Sequence, residues 1–230
     1  MLGIIGAMEE EVAELKRRME IEEVSEAASM SFYRGKLEGK DVVVVRSGIG
    51  KVNAAVCAQI LIDRFQVDTL INTGIAGSLD AQIDIGDMVI STDAVEHDMD
   101  ASAFGDPVGQ VPQMDTFSFP AEEKLVKLAK EINERINPDI HTWTGRIVSG
   151  DQFVASSQVK ERLIALFGAK CTEMEGAAIA HTAYLNKISC VIIRAISDKA
   201  DNSAEMDYPA FEELAIRHSV RLVCALAAEM

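Results

Sequence analysis

Short apolar runs of strand length alternate with longer stretches of helical period along almost the whole chain, and this alternation restricts the fold more than any other feature. Residues 2–7 read as a short buried strand, and Glu9–Glu20 then carries Val12, Leu15 and Met19 at helical spacing. Ser31–Leu37 and Asp41–Arg46 read as strands joined at Glu38-Gly39-Lys40, a hairpin-type connection. Lys51–Phe65 is helical, with Val52, Val56, Ile60 and Leu61 on one side. Thr69–Asn72, Asp87–Ala94, His141–Ser149 and Ser189–Ile196 read as further strands. Ala121–Ile136, Ser157–Phe167, Gly176–Leu185 and Pro209–Ala228 read as further helices. Such an order implies a sheet covered by helices. The expectation is an α/β fold, a single domain over residues 1–230, with three layers and a central mixed β-sheet flanked by helices.

Residues 97–119 break the pattern. Pro107 and Pro112, with Pro120 just beyond, exclude a regular helix, and Phe104, Phe117 and Phe119 are interspersed. A long irregular segment with aromatic residues reads as functional or as an interface.

The net charge of −15 leaves no basic face to displace counterions from nucleic acid or to meet an anionic membrane. A neutral or cationic small ligand fits better. Cys57, Cys171, Cys190 and Cys224 have no CxxC spacing and read as buried free thiols. No Cys/His pair has zinc-ligand spacing and no HExxH occurs, so no metal is expected. The apolar run Met1–Met8 is short and is followed at once by three glutamates, unlike a secretory leader. No stretch approaches the roughly 20 apolar residues of a membrane span. The expected location is the cytoplasm.

Chemistry concentrates in a few places. Cys171-Thr-Glu-Met-Glu-Gly-Ala-Ala178 sets two carboxylates before a run suited to a buried helix, where the helix dipole favours them. Ile4-Ile-Gly-Ala-Met-Glu-Glu-Glu11 and Val191-Ile-Ile-Arg-Ala-Ile-Ser-Asp198 are apolar strands that deliver acids at their exits, where open α/β sheets keep their ligand sites. Glu9, Glu10 and Glu11 are equally compatible with first-turn helix acids. Arg194 is costly to bury without an anion; Asp198, Glu11, Glu173 and Glu175 are candidate partners. Ser47-Gly-Ile-Gly-Lys51 and Thr73-Gly-Ile-Ala-Gly77 read either as strand-to-helix turns or as close backbone approaches to a flat ligand; neither is a phosphate-loop motif. Judged on type alone, Met8 and Met174 belong to the core.

In order along the chain, Gly3-Ile-Ile-Gly-Ala-Met-Glu-Glu-Glu11, Ser47-Gly-Ile-Gly-Lys-Val52, Asn72-Thr-Gly-Ile-Ala-Gly77, Ser149-Gly-Asp-Gln-Phe153, Glu173-Met-Glu175 and Arg194-Ala-Ile-Ser-Asp198 resemble the 5′-methylthioadenosine/S-adenosylhomocysteine nucleosidases of the purine nucleoside phosphorylase-like superfamily. The resemblance implies a nucleoside phosphorylase-like fold. It implies hydrolysis of the N-glycosidic bond to adenine and a thioribose, in methionine salvage and recycling of S-adenosylmethionine by-products, without metal or cofactor. It makes Asp198 the acid that protonates adenine N7 and Glu11 the residue that holds and activates water, with Arg194 nearby. Glu175 takes the ribose hydroxyls with Met174 against the sugar, while Glu173, Ala76 and Gly77 belong to the same pocket. Phe153 stacks on adenine and the backbone of Val154 reads its edge. Ile49, Met8 and Tyr208 line the sugar and alkylthio end. It also implies a homodimer in which Phe104 and Pro112 of one chain reach the neighbour's pocket, with helix Lys51–Phe65 in the contact. Ile75 stands where many members carry a serine, and Asp106-Pro107 replaces an aromatic-containing sequence of some members. The resemblance does not rank methylthioadenosine, S-adenosylhomocysteine, 5′-deoxyadenosine and aminofutalosine. The competing readings are a purine nucleoside phosphorylase and a non-catalytic purine-binding protein of the same fold.

Overall fold

The computed structural model describes the backbone of residues 1–230 and every side chain except those of Glu205, Met206, Pro209 and Ala210. Ten strands and six helices follow in the order β1 (Leu2–Gly6), α1 (Glu9–Arg18), β2 (Glu20–Ala27), β3 (Met30–Leu37), β4 (Lys40–Arg46), α2 (Lys51–Phe65) and β5 (Thr69–Ser78). Then come β6 (Met88–Glu96), β7 (Phe119–Pro120), α3 (Glu123–Ile136), β8 (Thr142–Ser149), α4 (Ser157–Phe167), β9 (Cys171–Glu173), α5 (Gly176–Asn186), β10 (Ser189–Asp198) and α6 (Ala204–Glu229).

The sheet is mixed, as expected, but part of it closes on itself. β5 pairs parallel with β10, β10 antiparallel with β6, β6 parallel with β8, β8 parallel with β9, and β9 antiparallel with β5, which completes a five-stranded ring. β1, β4, β3 and β2 extend from β5 as an open wing. The strands alternate their faces. Val42 and Val44 of β4, with Val191 and Ile193 of β10, pack with α1, α3 and α6. Val43 and Val45, with Cys190 and Ile192, pack with α2 and α5. These strands are apolar on both faces because both are covered, which is why they read as unbroken apolar runs.

The structure departs from the sequence expectations in four places. The helix at residue 9 ends at Arg18, and Glu20–Ala27 is a strand instead. This β2 lies on the sheet edge, mostly exposed, with a register shift between Ile21 and Glu23 that hides its alternation. It turns into β3 through Ala28 and Ser29, both left-handed without a glycine to signal it. Phe119 is not in an exposed loop; it forms β7 against β6 and stacks on His181 at 4.2 Å. The terminal helix begins at Ala204 rather than at Pro209, whose side chain lies outside the described residues. Residues 73–77 are no turn: they lie within β5. The hairpin at Glu38-Gly39 does form, with both residues at positive φ. All four cysteines are buried and unpaired. Among the described residues, no helix is long and apolar enough to cross a membrane.

Candidate functional site

A cavity of about 470 Å³ opens where β1, β9 and β10 end beside the second half of β5. Its lining includes Met8, Glu11, Ile49, Ile75, Ala76 and Gly77 from the first half of the chain. From the second half come Phe153, Glu173, Met174, Glu175, Asp198 and Tyr208. Val154 lines a small recess beside it, shared with Gly77, Phe153 and Asp198. Thus segments far apart in sequence converge through strand pairing, and the walls are apolar with acids at a few points.

Glu11 stands out from its neighbours because it is buried while Glu9 and Glu10 are exposed. One carboxylate oxygen accepts from Ala7 N at 2.6 Å and Met8 N at 3.0 Å, which also caps the start of α1. The other accepts from Ile75 N at 3.2 Å. Burial raises its pKa, against the Arg194 charge and those backbone bonds. Gly74 makes the arrangement feasible: a Cβ there would collide with Glu11 Oε1 and stand 3.3 Å from Arg194 Nη1. This is the physical reason for a glycine inside β5.

Arg194 lies behind the cavity wall, not in it. Its guanidinium is buried and donates to Glu173 and to Asn72 Oδ1, while Nη1 donates to the carbonyl of Ile193 at 3.1 Å. Its partner is therefore Glu173 and not Asp198. Glu173 is further fixed by the Ser149 hydroxyl and by Glu175 N and Gly176 N, so it sits before α5 and not in its first turn. Burial is the largest influence and opposes its charge, but the Arg194 charge together with the hydrogen bonds from Ser149, Arg194 and Gly176 N holds its pKa below the ordinary value. Glu175 is the opposite case. Burial and then the Glu173 charge push it up to about 8, although Gly50 N donates to it at 2.8 Å.

Asp198 sits at the exit of β10, where a register shift after Ile196 lets it face Gly77. A bulge of this kind re-aims a side chain. A Cβ on Gly77 would come within 2.7 Å of Asp198 Oδ1, so this glycine, too, makes room for an acid. Ser197 Oγ and Ala200 N each donate to the carboxylate at 2.8 Å. Burial nonetheless raises its pKa, helped by the charges of Asp207 and Asp201. The hydroxyl beside this aspartate comes from Ser197, while Ile75 presents an apolar surface to the cavity.

Phe153 meets Tyr208 edge to face at 5.8 Å, and Tyr208 Oη donates to Met8 Sδ at 3.2 Å. Met8 and Met174, core residues by type, are half-buried in the cavity wall. Phe104 is 91% exposed and Pro112 is exposed, both outside this cavity. Ser197, Ser149 and Asn72 were not legible as site residues. Serine and asparagine near strand ends carry no signal until their partners are known. Among the described residues, no group of three or more His, Cys, Asp or Glu is gathered as a metal ion requires. The arrangement can donate a proton from one buried acid, hold a polarised water on a second, and enclose a flat apolar ligand between them.

A model of the phosphorylase superfamily matches residues 1–228. A curated 5′-methylthioadenosine/S-adenosylhomocysteine nucleosidase of Staphylococcus aureus (strain JH9) is 42% identical, covering 100% of both chains. The crystal structure of a 5′-methylthioadenosine/S-adenosylhomocysteine nucleosidase from Neisseria meningitidis, in complex with methylthio-immucillin-A, superposes with a TM-score of 0.95 at 40% identity, over 100% of this chain and 99% of that one. A futalosine hydrolase of Helicobacter pylori superposes with a TM-score of 0.94 at 34% identity, over 100% of this chain and 97% of that one.

Proposed function

Because the chain belongs to the phosphorylase superfamily, we propose that it acts as a nucleosidase of that superfamily, hydrolysing the N-glycosidic bond of 5′-methylthioadenosine and S-adenosylhomocysteine to adenine and the thioribose. The observation that carries this reading is a pair of buried carboxyl groups with raised pKa, Glu11 and Asp198, on one apolar cavity.

Asp198 keeps its proton to higher pH than an exposed aspartate and gives it to adenine N7. The C1′–N9 bond breaks with its electron pair going to the base, which leaves neutral. Positive charge develops on the sugar, facing Glu11 and Glu175. Water held by Glu11 adds to C1′ and its proton passes to Glu11. The logic parallels an inverting glycosidase, with an acid on one side and a water-activating carboxylate on the other. Glu175 takes the ribose hydroxyls and Met174 packs against the sugar. Phe153 stacks on adenine over Ala76 and Gly77, with the Val154 backbone at its edge. Ile49, Met8 and Tyr208 enclose the 5′ end. Arg194 is a positioning residue, held by Asn72 and Glu173 while its charge steadies Glu11. The reaction needs no cofactor in this scheme.

A phosphate nucleophile fits poorly, since the acids around the cavity would repel a dianion. The likeness to a futalosine hydrolase supports aminofutalosine as a further candidate, and 5′-deoxyadenosine is a candidate because it carries the same adenine and ribose that this scheme holds. The chain works as one unit, since one sheet takes strands from Leu2 to Asp198. It works in the cytoplasm as a homodimer, with Phe104 and Pro112 completing the neighbour's 5′ pocket. Exposed Val52, Val56 and Phe104 support that contact. The net charge of −15 argues against nucleic acid as partner. The test is adenine release from methylthioadenosine with and without phosphate. Release at equal rates supports hydrolysis, and a ribose 1-phosphate product rejects it.

A further inference from the structure

Lys51 closes the glycine-bearing turn Ser47-Gly-Ile-Gly-Lys51, yet its ammonium faces no ligand. It is spent inside the protein, donating to Glu96 Oε2 at 3.1 Å and Asp98 Oδ1 at 2.6 Å. Burial works against the charge, but the two carboxylates prevail and its pKa is raised. Its backbone N–H, the first of α2, donates to Asp151 Oδ1 at 2.9 Å, and Asp151 N donates in turn to Asp98 Oδ2 at 2.9 Å. Lys51, Asp98 and Asp151 thus form a closed ring of three bonds. Glu96 extends it to His181 Nδ1 at 3.0 Å, on α5.

The ring joins segments that bear on opposite parts of the cavity. One residue before Lys51, Gly50 N donates to Glu175, the residue assigned to the ribose. Two residues after Asp151 comes Phe153, assigned to the base. The approach is close: Gly50 has φ +95°, and a Cβ there would stand 3.0 Å from Asp151 Oδ1. Both cavity segments lack regular structure at these points, so nothing in the sheet ladder fixes one against the other.

We infer that Lys51 is a positioning residue for nucleoside binding, whose ring with Asp98 and Asp151 holds the ribose-side turn in register with the base-stacking segment. The inference rests on the nucleosidase reading above. A loosened ring leaves each half-site intact but misplaces them relative to one another. Ligands that span both halves then bind more weakly, while adenine alone, which needs only the Phe153 side, does not.

The test compares wild type with Lys51→Met, and with Asp151→Ala, which removes an exposed residue and leaves the Lys51 ion pairs in place. KM and kcat for methylthioadenosine and the inhibition constant for adenine are measured on folded protein. The expected result is a KM raised about tenfold, the scale of one lost charge-assisted hydrogen bond. Adenine inhibition should stay within about twofold of wild type, and Lys51→Arg should recover most of the KM. If Lys51→Met does not fold, Asp151→Ala carries the test by the same criteria. An unchanged KM in Asp151→Ala, or adenine inhibition weakened as much as the KM, overturns the inference. A wild-type protein that releases no adenine rejects the nucleosidase reading instead.

Discussion

Every hydrogen bond to Asp198 favours its anion, yet burial keeps its pKa raised. A group in that state is suited to giving up a proton to a leaving base. Asp198→Asn should preserve the fold and cut kcat by about 10²–10⁴-fold, the usual worth of general acid catalysis. Steady-state kinetics beside a circular-dichroism melt would check it; near-wild-type kcat would move the acid elsewhere. Glu175 makes a separate, thermodynamic prediction. Its folded pKa, about 8, lies above the ordinary 4.5, so the folded state binds the proton more tightly than the unfolded one. Stability should therefore fall as pH rises from about 4.5 towards about 8 and level off above. Glu175→Gln removes that loss and still accepts from Gly50 N. The variant should be the more stable protein at pH 8, and urea denaturation should show the gap closing towards pH 4.5. A pH-independent gap would mean that Glu175 is already ionised in the fold. At this scale the chain alone left three glutamates equivalent at residues 9–11, because burial is not a property of residue type. The resemblance pointed to Glu11, and Glu11 is the one that packs under Gly74.

β5 carries the main lesson at the level of elements. Thr73-Gly-Ile-Ala-Gly77 has the composition of a turn and the conformation of a strand. Its glycines serve side chains that arrive from other strands, Glu11 at Gly74 and Asp198 at Gly77. Gly74→Ala should displace the Glu11 carboxylate and reduce kcat at least tenfold, with an overpacking cost of about 1–3 kcal/mol. Thermal unfolding and single-turnover rates would separate the two effects. Wild-type kcat in this variant would show that Glu11 tolerates the shift. The buried strands and amphipathic helices were legible because their periodicities are strong. β2 was not, since an edge strand exposed on most positions needs no alternation, and its register shift erased what there was.

For the molecule as a whole, the proposed dimer predicts that a neighbour's loop completes the 5′ end of the pocket. Phe104, 91% exposed, contributes nothing to this chain's core, so replacing it should cost the fold less than about 0.5 kcal/mol. In a two-fold dimer the same change acts on both pockets. Phe104→Glu should raise KM for thio-substituted nucleosides and weaken the dimer in sedimentation, while the far-UV circular-dichroism spectrum stays that of the wild type. A fully active monomer would contradict this. The sequence by itself determined the α/β class, most of its elements, the acidic surface and the ordered motifs by which it resembles its family. These follow from local periodicity, charge and residue type, all of which are properties of neighbours along the chain. Only the tertiary structure decided that the sheet closes into a five-stranded ring, that Arg194 pairs with Glu173, and that Lys51 is consumed by Glu96 and Asp98. Each depends on which strands lie side by side. A buried charge takes whichever partner the strand register brings within reach, and no spacing along the chain encodes that distance.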